Sequence, residues 1–360
     1  MESKGNTTAS VDLLYDGMVT PHNIYSSGGD VLLLRQGRTM LSSQIDAIKR
    51  MNAGQNIIRV SFETRKMLLE HNLSCKLVSQ TEQESESGYS DVIDETLTLL
   101  EDIAEENTIS HESLHTASEE LSDWIESTSP DRILDLVNAI APADEYLQRH
   151  CTDVSLLNGL IGKWLEFPKE DIETLVLAGL VHDTGKALIP SEILNAPRKL
   201  AVAEFEVMKT HPVFGFDLLP AFSAAVRNGA QGHHEKQNGK GYPYGVSGDD
   251  IPLVARITAV SDIYDAMVSR RSYKNPNNPF HILSLFKTHY ITELDPHIVE
   301  LFISNMPNEL LNKPVLLSDG EIGAIHAIDP DDIEYPYVRV HGQEIKTSNQ
   351  LHCVYMYFEE

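Results

Sequence analysis

An apolar run ends in an imidazole and a carboxylate in the sequence Leu175-Val176-Leu177-Ala178-Gly179-Leu180-Val181-His182-Asp183. A buried carboxylate beside a buried imidazole is costly unless both are paired or bound to a cation. Consecutive helical residues point roughly 100 degrees apart, so such a pair can address two metal ions or bridge them. The stretch therefore predicts a buried helix that ends at a metal site.

Outward from this stretch, apolar residues recur with the helical period from residue 142 to residue 306. The fold class predicted is mainly α. Helices are expected at residues 143–167, 172–182, 202–219, 224–235, 253–270, 280–288 and 296–306.

The remaining segments differ in composition from this helical part. Residues 1–72 mix β-like runs with turn signals and predict a small N-terminal α/β regulatory module. Residues 73–91 predict a linker, and residues 92–141 an amphipathic helical region. Residues 142–312 form the predicted helical domain. A short C-terminal β appendage is expected at residues 313–360, with strands at 315–317, 337–340 and 353–358.

Charge and composition narrow the function classes. The net charge of −26 over 360 residues argues against binding polymeric nucleic acid, which depends on clustered Lys and Arg. There is no run of about 18 apolar residues and no apolar signal core, so neither membrane insertion nor export is expected. Three scattered cysteines suit a reducing compartment, and the predicted localisation is cytoplasmic.

The helical region contains an unusual set of side chains that commonly bind metals. A single histidine is more often a core or surface residue than a ligand, but here each candidate falls at or near a predicted helix end. Mixed imidazole and carboxylate ligands suit iron, manganese or zinc, and two such ions roughly 3.5 to 4 Å apart are a device for cleaving phosphoesters. The candidates are His150, His182, Asp183, His211, His233, His234 and Asp262.

A second pattern, His111-Glu112-Ser113-Leu114-His115, matches the zinc motif H-E-x-x-H. The surrounding residues are strongly polar, and no third ligand is evident. We therefore predict that this pattern is a solvated helix face.

Longer strings of residues follow one another in a fixed order. They are His182-Asp183-Thr184-Gly185-Lys186, His233-His234-Glu235, Gly239-Lys240-Gly241-Tyr242-Pro243, Ser261-Asp262 and Arg271-Ser272-Tyr273-Lys274. This series closely resembles the signature of HD-GYP domains, which are metal-dependent phosphohydrolases of the HD superfamily. The resemblance spans about residues 145 to 274. It implies that the fold is an HD-type helical bundle and that residues 142–312 form an HD-GYP catalytic domain.

The resemblance also implies a role for each matched residue. All seven candidates become metal ligands, with Asp183 as the bridging carboxylate. Asp183 and Lys186 are the implied catalytic residues, and the implied substrate contacts are Lys186, Tyr242, Arg271 and Lys274.

The sequence departs from the family pattern at several positions, among them Ala196 and Asn238. Tyr146 stands where some members carry a Glu that holds a third metal, so we expect two divalent ions, iron or manganese. Arg198 stands where the family usually has Gly, in a loop expected to control substrate access.

The implied activity is hydrolysis of cyclic di-GMP to pGpG, GMP or both by a hydroxide that the two metals activate. Two alternatives stay open: a cyclic dinucleotide receptor with low turnover, and a phosphodiesterase for another cyclic dinucleotide such as cyclic GMP-AMP. The N-terminal region is where we expect a homodimer contact or a protein partner.

Overall fold

The structure is a computed structural model. It describes residues 7–10, 14–15, 17–26, 32–41, 45, 48, 57–61, 64, 68, 111–138, 146–268, 278–318 and 321–356. The predicted linker at 73–91 lies outside these residues. The division of the chain into five segments stays a prediction.

The described N-terminal residues contain a small antiparallel sheet with its own core. Its strands are β1 (Thr7–Ser10), β2 (Ile24–Ser26), β3 (Leu32–Leu34) and β4 (Ile57–Val60), in the order β1-β4-β2-β3. Met18, Ile24 and Ile58 are almost fully buried within this part of the chain.

Helices dominate the rest of the described chain. In chain order they are α1 (His111–Ser127), α2 (Pro130–Val137), α3 (Tyr146–Trp164), α4 (Lys169–Val181), α5 (Ser191–Leu194), α6 (Val202–Met208), α7 (His211–Leu218), α8 (Ala224–Gly232), α9 (Leu253–Val268), α10 (Pro279–Thr288) and α11 (Pro296–Glu309). Short 3-10 helices occur at Thr184–Leu188, Gly248–Asp250 and Tyr290–Thr292. The predicted class, mainly α with small sheets near both ends, is confirmed.

Helix α4 lies at the centre, as its apolar sequence predicts, and is buried from Leu175 to its last residue. A side chain at Gly179 would meet the Ser155 backbone at 2.5 Å, so glycine is what allows α3 and α4 to approach this closely. The Asn158 amide donates to the Leu175 carbonyl at 2.9 Å and to the Thr258 hydroxyl at 3.0 Å. Asn158 thus fixes α3 against both α4 and α9.

The single helix expected at residues 202–219 is instead two helices, α6 and α7. Pro212, in the first turn of α7, has no N–H to donate to the Met208 carbonyl four residues earlier. Instead, the imidazole Nδ1 of His211 donates a hydrogen bond to the Met208 carbonyl at 2.8 Å. The break therefore places His211 at the start of a helix and fixes the orientation of its ring.

The C-terminal residues form an antiparallel sheet in the order β8-β7-β6-β5-β9. Its strands are β5 (Pro314–Leu317), β6 (Ile322–Ala327), β7 (Tyr337–Val340), β8 (Gln343–Lys346) and β9 (Cys353–Met356). The sequence predicted β5, β7 and β9 but not β6 or β8. Buried side chains of this sheet, such as Val315 and Val338, belong to the same apolar core as the helices. The sheet therefore packs on the helical bundle.

No helix within the described ranges combines the length and the apolar character needed to cross a bilayer.

Candidate metal centre

Asp183 lies at the point where the central helix ends. His182 caps the C-terminus of α4, and Asp183 is the residue that precedes the 3-10 helix Thr184–Leu188. Only 9% of Asp183 is exposed, and His182 is fully buried. The apolar run that predicts this helix thus delivers an imidazole and a carboxylate to the interior.

Three histidines are held around Asp183 by the same device. In each, Nδ1 lies within hydrogen-bond distance of the carbonyl three residues earlier: His182 to Gly179 at 2.7 Å, His211 to Met208 at 2.8 Å, and His233 to Ala230 at 2.9 Å. A carbonyl only accepts, so each Nδ1 carries the proton and each Nε2 of the neutral ring keeps its lone pair. Orienting a ligand ring through its other nitrogen is typical of metal-binding histidines.

The free lone pairs of these rings converge on the Asp183 carboxylate. The distance from Nε2 to the nearer Asp183 carboxylate oxygen is 3.4 Å for His182, 3.4 Å for His211 and 3.7 Å for His233. His182 Nε2 and Asp183 Oδ1 are both buried, and neither has a hydrogen-bond partner among the described residues. Acceptors that face one another without a proton between them are unfavourable, and a bound cation removes that cost.

His150 approaches from the opposite side, on α3. Its Nε2 lies 3.2 Å from Asp262 and 3.7 Å from Asp183, while its Nδ1 lies 2.6 Å from Asp265. Asp265 is fully buried and was not among the predicted site residues. The sequence does contain a sign of this role, because Asp265 is a second carboxylate three residues after Asp262 within the apolar helix α9.

All seven predicted metal-type residues lie in this one cluster. His234 completes it, with Nδ1 3.8 Å from Asp262. The donor atoms fall into two groups, each within 4.8 Å: Asp183 with His211, His233 and His234, and Asp183 with His150 and His182. Because Asp183 belongs to both, the donor set fits two cations that share one carboxylate.

The charges of the site are those of a cation-binding cluster. Although burial favours the neutral acid, the Lys186 ammonium holds the pKa of Asp183 well below its usual range. Burial lowers the pKa of His234 to about 3 and the pKa of His233 well below its usual value. Burial also opposes charge on His150, yet its hydrogen bonds to Asp262 and Asp265 raise its pKa to about 10. Without a metal ion, a proton on His150 thus neutralises part of the carboxylate charge.

Lys186 lies one helical turn beyond Asp183, and its ammonium group contacts the Asp183 carboxylate. Its side chain remains 28% exposed. Although burial opposes the charge, Asp183 raises the pKa of Lys186, which keeps it cationic. A fixed cation is therefore accessible at the edge of the cluster.

The loop after α8 folds back over the cluster and places Tyr242 against it. The Tyr242 ring lies 4.7 Å from the His234 ring, centroid to centroid. Glu235, also absent from the predicted site, accepts hydrogen bonds from the Tyr244 and Gly245 backbone at 2.6 and 3.1 Å. A side chain at Gly241 would meet the His234 carbonyl at 2.5 Å, so the loop can pack this closely only with glycine there.

Two of the predicted substrate contacts, Arg271 and Lys274, lie outside the described residues, as does the side chain of Tyr146. The H-E-x-x-H pattern lies away from the centre, in α1. The His115 side chain is 47% exposed and lies near two carboxylates, Glu119 at 3.6 Å and Glu173 at 3.4 Å. His115 is thus exposed, and Glu119 and Glu173 bring two further donor groups within 4.8 Å of it. The solvated helix face stays a prediction.

Comparison with known proteins gives consistent matches. Residues 135–298 match the family model described as HD domain. The chain is 34% identical over 202 residues to the cyclic di-GMP phosphodiesterase PA4108 of Pseudomonas aeruginosa, a match covering 54% of this chain and 48% of that protein. It is 30% identical over 185 residues to the 3'3'-cGAMP-specific phosphodiesterase 2 of Vibrio cholerae, covering 50% of this chain and 35% of that protein. The matches thus span between a third and a half of the relatives' length.

Among solved structures, the chain resembles Bd1817, an HDG"Y"P protein from Bdellovibrio bacteriovorus. The TM-score is 0.50 at 16% identity, and the match covers 84% of this chain and all of the other. At this level of identity the likeness supports the fold alone.

Proposed function

We propose that the chain is a metal-dependent phosphodiesterase of the HD-GYP type that acts on cyclic di-GMP. The match of residues 135–298 to the HD domain model and the similarity to relatives named as cyclic di-GMP phosphodiesterases support this proposal. The observation that carries this proposal is Asp183, whose carboxylate is shared by two groups of imidazole donors inside one buried cluster. A shared carboxylate between paired cations suits the cleavage of a phosphodiester.

The proposed ligands divide as the two groups do. His211, His233 and His234 would hold one ion with Asp183, and His150 and His182 would hold the other with Asp183. Asp262, near His150 and His234, lies within reach of both groups. Iron or manganese suits this donor set. When bound, the ions would neutralise charge on the phosphate and lower the pKa of a water molecule so that it is a nucleophile at neutral pH.

The chain's own residues bind and orient the phosphate. Lys186 is cationic, fixed beside Asp183 and partly exposed, so its ammonium can hold a non-bridging phosphate oxygen. A cation in this position binds more tightly as negative charge accumulates on that oxygen in the transition state. Tyr242 covers one side of the cluster and limits the access of bulk water. Arg271 and Lys274 are proposed to hold the remaining phosphate charge.

The substrate class is a cyclic purine dinucleotide. Relatives named as cyclic di-GMP phosphodiesterases favour cyclic di-GMP, and the relative named as specific for 3'3'-cGAMP makes cyclic GMP-AMP the second candidate. The products proposed for cyclic di-GMP are pGpG, GMP or both. With a net charge of −26, attraction of an anion must come from the ions, Lys186 and other local cations.

The test is direct hydrolysis. Protein purified without oxygen and loaded separately with iron or manganese is incubated with cyclic di-GMP or cyclic GMP-AMP, and the products are separated by chromatography. We expect pGpG or GMP from the loaded protein. We expect no turnover from a folded variant in which His182→Ala and Asp183→Ala are combined. Hydrolysis by that variant would refute the assignment, and binding without turnover by the wild type would favour a receptor.

A further inference from the structure

Helix α6 exposes several apolar side chains near the metal centre. The exposed fractions are 81% for Val202, 45% for Phe205 and 37% for Val207. A single exposed apolar residue needs no explanation, but grouped ones often mark a binding surface. All three lie on one helix of seven residues.

Aromatic rings connect this surface to the metal centre. The Phe205 ring lies 6.3 Å from the Tyr242 ring, nearly perpendicular to it, and Tyr242 lies 4.7 Å from His234. Two ring-to-ring steps therefore lead from a proposed metal ligand to an exposed aromatic side chain. Lys209 places its ammonium 5.6 Å from the Phe205 ring centre and adds positive charge there.

The start of α6 is held in place by contacts around Glu204. Arg198, which replaces the glycine usual in the resembling family, donates two hydrogen bonds to the Glu204 carboxylate, at 2.6 and 2.7 Å. The same carboxylate accepts the Ala201 backbone N–H at 2.7 Å. Phe205 directly follows this anchored residue, so less conformational freedom is lost when a ligand packs on it.

We propose that Phe205 is the stacking platform for one purine base of the cyclic dinucleotide whose phosphate lies at Lys186. This inference rests on the proposed function and extends it to recognition of the base. Every nucleobase has a π-face that stacks on aromatic side chains, and exposed aromatics use this in nucleotide binding. A single sugar separates a phosphate from its base, so a base can reach Phe205 while the phosphate stays at the metal centre.

Kinetics of Phe205 variants test the platform. Phe205→Ala should raise KM for cyclic di-GMP roughly 5- to 150-fold, as expected from the loss of one stacked base. We expect kcat to stay within about twofold of wild type, because stacking acts on ground state and transition state alike. Phe205→Trp should restore the low KM. Val202→Ala, which removes the most exposed apolar side chain of the same helix, should leave KM unchanged.

A diester without a base separates recognition from chemistry. Phe205→Ala should cleave methyl p-nitrophenyl phosphate as the wild type does. An unchanged KM for cyclic di-GMP in Phe205→Ala would overturn the platform, and so would a Phe205→Leu variant that binds as tightly as the wild type. If the loaded wild type cleaves neither substrate, the phosphodiesterase assignment fails. The platform is then judged by equilibrium dialysis, where equal Kd values for cyclic di-GMP in wild type and Phe205→Ala overturn it.

Discussion

The Nδ1 atom of His150 lies 2.6 Å from Oδ2 of Asp265, a residue with no exposed surface. A carboxylate accepts this hydrogen bond, so Nδ1 of His150 carries a proton, while Nε2 points toward Asp262 and Asp183. A carboxylate in this position orients the ring and raises its basicity, which would favour a metal ion at Nε2. Asp265 is therefore a positioning residue of the centre.

Asp265→Asn should weaken metal binding about 10- to 100-fold, because an amide is a poorer acceptor than a carboxylate. Competition for Mn²⁺ with a fluorescent chelator measures this loss. Asp153→Asn is the matched control, because Asp153 is a second buried carboxyl on the helix of His150, and it lies 3.8 Å from Arg149. Equal Mn²⁺ affinity in the two variants would show that Asp265 has no specific role in metal binding.

Metal binding should release a proton. In the metal-free protein the pKa of His150 is raised to about 10 by Asp262 and Asp265, so the ring is protonated at pH 7 and must lose that proton to become a ligand. The pKa values of His233 and His234 are lowered, so these rings are already neutral and release none. Apparent affinity should therefore rise about tenfold per pH unit from pH 7 to pH 9.

Calorimetry of Mn²⁺ binding in buffers of different ionisation enthalpy counts the protons released. We expect close to one proton per chain at pH 7 from His150. A heat of binding that does not depend on the buffer would contradict this charge distribution.

Gly185→Ala should destabilise the fold by about 3 kcal/mol, because overpacking against backbone is poorly relieved. Its new methyl group would lie 2.0 Å from the His211 carbonyl and 2.4 Å from the Gly215 nitrogen. Gly215→Ala is the control on the facing helix, since its nearest neighbours would be the Ala230 side chain and the Gly185 nitrogen, both at 3.5 Å, an ordinary van der Waals distance. Urea unfolding at constant slope measures both variants. Similar midpoints would mean that the two segments are not held this closely.

Glu235→Ala should loosen the loop that carries Tyr242. The variant loses the acceptor for two backbone N–H groups, those of Tyr244 and Gly245, and hydrogen bonds to a charged group contribute about 1.5 to 3 kcal/mol each. We expect faster tryptic cleavage at Lys240, and a higher KM for the cyclic dinucleotide, with metal affinity retained. Glu235→Gln keeps one carbonyl acceptor, so its cleavage rate and KM should lie between those of the wild type and those of Glu235→Ala. Unchanged cleavage in Glu235→Ala would show that other contacts hold the loop.

Much of the site follows from the sequence because five of its seven members lie at helix ends, whereas His150 and Asp262 lie within α3 and α9. The apolar run before His182 fixes where α4 stops, and the residues after α8 place His233 and His234 in the same way. The sequence did not predict Asp265 and Glu235 as site residues, because the role of a buried carboxylate depends on which groups it hydrogen-bonds in the folded protein. In the case of Asp265 that partner is 115 residues away in sequence.

The differences between the predicted and the observed fold also have physical causes. The apolar period continues across residues 202–219, but Pro212 has no N–H to donate, so the first helix ends before it. The spacing of apolar residues does not reveal this missing hydrogen bond. Strands β6 and β8 were missed because they carry polar residues, among them His326 and Glu344, which pair at 3.0 Å on the exposed side of the sheet. Their pairing with β7 depends on the sheet as a whole.

The proposed function requires that two cations share Asp183. Manganese counting by mass spectrometry, combined with electron paramagnetic resonance on the same Mn²⁺-loaded sample, tests it most directly. We predict two ions per chain with an exchange-coupled signal in the wild type, and loss of the coupling in Asp183→Ala. One ion per chain, three tightly bound ions, or two uncoupled ions in the wild type would contradict the account.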